Sequence, residues 1–103
     1  MGIHQPQIYA GMDEMQICER LSREGYNPRR VDEPAGAVYE NHKNSFDIVL
    51  AFISGSADVT VGKEIYRCVA GDRLNIPGDS PHSAKVGAEG VVYYMTEQAL
   101  HTD

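Results

Sequence analysis

Gly71-Asp72-Arg73-Leu74-Asn75-Ile76-Pro77-Gly78-Asp79-Ser80-Pro81-His82 is the stretch on which the fold turns. Gly71-Asp72 is a turn pair, and Leu74-Asn75-Ile76 alternates as a half-buried strand does. Pro77-Gly78-Asp79 cannot continue a central strand, because proline has no ladder donor and glycine admits positive φ. The corner sets His82 on a rigid mount where the next strand begins. Arg73 and Asn75 share the face opposite Leu74 and Ile76, and a solvent face is expected for them.

Working outward from this corner, short period-two segments recur in both directions. Downstream, Ser83 to Val86 reads as a strand, Gly87 to Gly90 as a loop, and Val91 to Thr96 as a final strand. The last seven residues add a frayed helical turn. Upstream, Val61-Gly62-Lys63-Glu64 reads as a two-residue hairpin with glycine first, the type II′ choice. Ile65 to Val69 returns from it, and Ala57, Val59 and Val61 alternate with polar residues before it. Phe46 to Ile53 is a nearly continuous apolar run, so both of its faces must be covered. Lys43-Asn44-Ser45 is a polar break after a strand at Ala37 to His42, and Arg29 to Asp32 is another short strand.

One helix is expected, over Met12 to Glu24, with Asp13 as N-cap and Gln16 completing a capping box. Met12, Met15, Cys18 and Leu21 form its apolar stripe, and Gly25 ends it. Residues 1 to 11 read as irregular surface chain. The division is thus an N-terminal segment with its helix, 1–25, packed on a barrel formed by 26–103. Eight short strands with regular turn signals imply an all-β protein with one N-terminal helix, an antiparallel sandwich or barrel.

Composition narrows the function classes. The chain has 103 residues, room for one domain, with ten glycines and five prolines suited to many turns. A formal net charge of −6 argues against a nucleic-acid partner, and no apolar run is long enough for a membrane span. Met1 to Pro6 has neither a basic start nor a long apolar stretch, so no secretory signal is expected there. Cys18 and Cys68 lack metal-type spacing; they could form one bridge, but buried free thiols in a reducing cytoplasm are the simpler reading, so a cytoplasmic protein is expected.

The order of these features resembles the cupin superfamily, small jelly-roll β-barrels with two sequence motifs. The second motif is Gly, five residues, Pro-x-Gly, two residues, His, three residues, Asn. Gly71, Pro77 and His82 match it, with Asp79 in the glycine place and Val86 in the asparagine place. The first motif keeps its spacing at Gly36, His42 and Gly55, but Asn44 replaces its second histidine and Ile48 its glutamate. Phe46-Asp47 resembles the Phe/Tyr-Asp ending seen in a group of small single-domain cupins. In members with the full motif, three histidines and a carboxylate hold a divalent metal inside the barrel.

That resemblance implies a site built on His42 and His82, with Asn44 as a weak carbonyl ligand. Imidazoles suit zinc, iron or nickel, and oxygen ligands suit manganese. Glu40 has the parity of His42 and faces inward if the strand is regular. Asp47 is left open. Each candidate has a plainer reading: barrel histidines with ordinary hydrogen bonds, a solvated strand-edge glutamate, a turn asparagine. Tyr66, Tyr93 and Tyr94 read as wall packing.

Three functions follow. The first is a binding module for a small polar ligand, with a possible metal. The second is a metal-dependent enzyme of oxygenase or isomerase type. The third is a metal-free barrel whose main use is dimerisation. The outer face of Ile48 to Ile53 needs either the helix stripe or a second copy to cover it, and since the resemblance to small cupins implies pairing through such a sheet, a homodimer is expected.

Overall fold

The protein is described by a computed structural model covering residues 3–42 and 46–97, with backbone alone at 42 and 97. Asn44, the rest of the break at 43–45 and the chain beyond 97 lie outside the described residues. The elements are β1 (His4–Gln5), α1 (Glu14–Arg23), β2 (Arg29–Glu33), β3 (Val38–His42), β4 (Ile48–Val61), β5 (Glu64–Val69), β6 (Arg73–Ile76) and β7 (His82–Glu97).

Helix α1 begins as its sequence dictates. Asp13 Oδ1 accepts from Gln16 N and Gln16 Oε1 accepts from Asp13 N, each at 2.8 Å. It ends in a Schellman motif: Gly25 takes φ 94°, Tyr26 N donates to Leu21 O and Gly25 N to Ser22 O. The buried face differs from the expected stripe. Ile17 and Leu21 are the buried residues of the helix, whereas Met15 is 72% exposed. A repeat of three falls about 60° short of a full turn at each step, so its members spread around the helix, while the i, i+4 pair stays aligned.

The strands form one antiparallel sheet of seven among the described residues, in the order β1-β6-β4-β7-β2, with β3 added to β7 and β5 to β4. The eight short strands expected become fewer and longer. Gly55 and the Gly87-to-Gly90 segment, read as a strand end and a loop, instead lie within two strands of 14 and 16 residues. Over Ile48 to Ala51, β4 lies between β6 and the end of β7; over Ala57 to Val61, it lies between β5 and the start of β7. Register shifts separate the two halves, so one sheet folds into two facing leaves. Gly55 sits at the fold with φ 74°, and a Cβ there would fall 2.0 Å from Gly90 O. Glycine that ends a strand and glycine that bends one look alike in sequence. The Gly62 hairpin forms as expected, pairing Val61 with Glu64.

Two apolar clusters result. The first lies between the leaves and includes Ile48, Leu50, Phe52, Ala57, Val59, Leu74 and Ile76. The second lies between the outer face of the first leaf and α1, joining Val49 and Ala51 to Tyr9, Ile17 and Leu21. The helix of the same chain thus covers the outer face of Ile48–Ile53, the first of the two covers expected. The N-terminal segment is more ordered than its composition suggested. His4 and Gln5 pair with Leu74 and Arg73, and Tyr9 is 1% exposed.

Arg73 is not on a solvent face. It is 7% exposed, and its guanidinium donates to Glu24 at 2.8 Å, Tyr9 Oη at 3.2 Å and Asn75 Oδ1 at 2.9 Å. Burial works against its charge, but the bonds to Glu24 and Tyr9 outweigh it. Nothing in the 73–75 pattern reveals this cover, because the covering residues come from elsewhere in the chain.

Candidate functional site

The space between the leaves is not filled. A cavity of about 320 Å³ opens there, at the low end of the range for small-molecule sites. Its floor is apolar: Ile48, Leu50 and Phe52 from the first half of β4, Ala57 and Val59 from the second, and Ile76 from β6. From β7 come His82, Ala84, Val86, Val91, Tyr93 and Met95. Tyr39 and Phe46, each more than one-third exposed, complete the lining. Ile48, in the first motif's glutamate place, and Val86, in the second motif's asparagine place, are both in this wall.

His82 is where the corner aimed it, lining the cavity at 7% exposure. Its Nδ1 lies 3.1 Å from Ser80 O. A carbonyl can only accept, so Nδ1 is the donor, in a bond that also helps orient the ring. The corner holds by its own chemistry: Ser80 N donates to Pro77 O, and Asp79 takes φ 64°. Asp79 stands where the motif carries glycine, and aspartate is among the side chains that tolerate the left-handed region.

The other expected site residues fare differently. The Cα of His42 pairs opposite that of His82 on neighbouring strands, so the two are adjacent in register rather than across the barrel. Asn44 lies outside the described residues. Glu40 is exposed, and Tyr39 supplies the lining of β3 instead. The cause is an irregularity of register between Tyr39 and His42, which breaks the parity that linked Glu40 to His42. No sequence signal marks that bulge. Asp47, left open, has a defined partner: its Oδ1 accepts from Gly78 N at 2.7 Å, linking the start of β4 to the corner.

Tyr93 packs against Phe52 with ring centres 5.7 Å apart, and burial pushes its phenol above the ordinary value. Tyr94, one residue on, faces the helix. Its Oη donates to Glu14 at 2.8 Å, and burial followed by that carboxylate pushes the phenol up to about 12. Tyr66 packs beside the inner cluster and makes an edge contact with His4. All three tyrosines are thus packing residues. Cys18 and Cys68 are free, and burial, with the charges of Asp72 and Asp58, pushes the Cys68 thiol up to about 12, which keeps it protonated.

The described residues do not make up a metal-binding set. No group of three or more His, Cys, Asp or Glu among them is arranged to hold an ion, and among the described lining residues His82 is the one of these types. No described helix is long and apolar enough to cross a membrane.

The sequence matches no protein-family model and no curated protein. The fold, by contrast, has many counterparts among solved structures. The chain is similar to the Cnp3 cupin domain of Schizosaccharomyces pombe, with 25% identity and a TM-score of 0.67 over 76% of this chain and 58% of that one. It is also similar to an RmlC-like cupin from Shewanella frigidimarina, at 21% identity and TM-score 0.63, covering 73% and 68%. A third, at 19% identity and TM-score 0.67, is the DMSP lyase DddQ of Ruegeria pomeroyi, where 77% of this chain covers 41% of that one. The chain has the jelly-roll fold of the cupin superfamily.

Proposed function

We propose that the barrel binds a small, mostly apolar molecule in its interior, with His82 as the polar contact that orients it. One observation carries this reading: a hollow of about 320 Å³ walled, among the described residues, by aliphatic and aromatic side chains with one imidazole. Such a wall disfavours the polar ligand expected from the sequence, since a polar group buried there without a partner costs about 1–3 kcal/mol. Tyr39 and Tyr93 add flat aromatic surface suited to a ring.

Titration with a neutral fluorescent naphthylamine tests the reading. Saturable binding near one per chain is expected, with loss of binding in Ala84→Trp, which fills the hollow. Absence of saturable binding, or binding untouched by Ala84→Trp, overturns it.

A second reading, a divalent metal held through His42 and His82, is favoured by the register pairing of those two residues. Elemental analysis of protein purified without chelator checks it. Metal near one per chain that vanishes in His42→Ala supports this second reading and with it an oxygenase or isomerase type of chemistry. The homodimer rests on the resemblance alone, and its mass in solution at micromolar concentration decides it.

A further inference from the structure

Two neighbouring arginines leave β2 on opposite faces and find different surroundings. Arg30 turns to the helix side, where its guanidinium meets Glu14 at 2.7 Å and Asp32 at 3.9 Å. Arg29 lies opposite Met95 in register, Val31 opposite Tyr93 and Glu33 opposite Val91. Directly opposed residues share one face of a sheet, and Met95, Tyr93 and Val91 all line the cavity. The inner face of this strand therefore carries a cation at one end and a carboxylate at the other. Arg29 is exposed, and its Nη2 lies 3.9 Å from Met95 Sδ. Among the described residues no carboxylate pairs with it. Both charges reach the cavity wall: burial raises the Tyr93 phenol, Glu33 raises it further and Arg29 lowers it.

We propose that Arg29 is a specificity-determining residue that makes the hollow a site for a small organic acid, an apolar body with one anionic head. This deepens the reading of the barrel interior as a binding site and rests on it. The two charges of β2 set the ligand's direction. Glu33 pairs with Val91 beside the bend, where an anion is repelled. Arg29 pairs with Met95, four residues past Val91 and away from the bend. His82 lies four residues before Val86 on the facing leaf, so it stands at the same open end as Arg29. The head thus sits at the mouth and the body points toward the bend. A guanidinium suits that head, because its planar fork can give two parallel bonds to a carboxylate or sulfonate. With a formal net charge of −6 the chain as a whole repels anions, so a preference for one must come from a local cation.

Two probes with the same rings test this, the neutral phenylnaphthylamine and the anionic anilinonaphthalene sulfonate. Both are titrated against wild type, Arg29→Gln, Arg29→Lys and Arg30→Gln, and the quantity read is the ratio of the two affinities. That ratio cancels any general change in the hollow. Wild type is expected to favour the sulfonate. Arg29→Gln keeps the aliphatic stem but not the charge, and is expected to lower the ratio about ten-fold, the effect of losing one charge-assisted pair. Arg29→Lys should retain most of the preference, and Arg30→Gln, on the other face, all of it. A ratio unchanged in Arg29→Gln, or lowered as much by Arg30→Gln, overturns this inference and leaves the hollow standing as a site. Wild type that binds neither probe overturns the hollow as a site and this inference with it.

Discussion

The two faces of β4 over Ile48 to Ile53 carry equally apolar residues and meet opposite fates. Val49 and Ala51 are sealed beneath Tyr9, Ile17 and Leu21. Ile48, Leu50 and Phe52 line a hollow. On the sealed side a helix lies flat on a sheet, and side chains interdigitate to interior density. On the hollow side two leaves diverge from a shared bend, and the space between them is wider than the side chains can fill. The first side is closed by packing, and the second keeps the space in which a ligand is proposed to sit.

The sharpest way to break this contrast is to cut one leucine from each side. Leu21→Ala, at a site with no exposure, is expected to cost about 3–5 kcal/mol in chemical denaturation, because a packed site collapses little. Leu50→Ala is expected to cost only about 2 kcal/mol, since its side chain already borders empty space, and to enlarge the cavity enough to change probe affinity. Equal costs would mean that both sides are packed alike.

A smaller effect concerns what ties the N-terminal segment to the first leaf. Asp72 is buried and accepts from Gln7 N at 2.9 Å, Gln7 Nε2 at 2.7 Å, Val69 N at 3.0 Å and His4 Nε2 at 3.1 Å. Burial pushes its carboxyl up, but those bonds together outweigh burial and hold it below the usual carboxylate value of 3.8. A depressed folded value means stability that is complete well above pH 3.8 and lost as pH falls through the lower folded value. Asp72→Asn is therefore expected to lose on the order of 2 kcal/mol at pH 7, by leaving buried donors unpaired. The difference from wild type should shrink as pH drops below 3.8; a constant gap down to pH 2 would contradict this account.

The smallest effect sharpens the helix side alone. Asp13→Ala removes the cap and is expected to cost about 1 kcal/mol, with no change in probe affinity. A change in affinity would show that the helix side and the hollow side are coupled.

How much of this was legible depends on the range of the forces involved. The corner at Pro77–Ser80 was readable because proline and glycine act on their own backbone, and His82 lies where that corner points it. The cap at Asp13 and the stop at Gly25 were readable for the same reason. The inward parity of Glu40 held only for a regular strand, and its exposure goes with a register irregularity that leaves no mark in composition. Arg73 looked solvent-facing because Glu24 and Tyr9, which bury it, are 49 and 64 positions away.

The sequence by itself determined the class of fold, the turns, the helix ends and the aim of one histidine. These follow from torsional preference and hydrophobic period, which act over a few residues. Only the tertiary structure decided that two strands bend rather than end, that one face of β4 is sealed and the other hollow, and that Asp47 bonds to the corner. Those outcomes depend on which distant segments meet, and burial and hydrogen bonding reward a meeting only once it has been made.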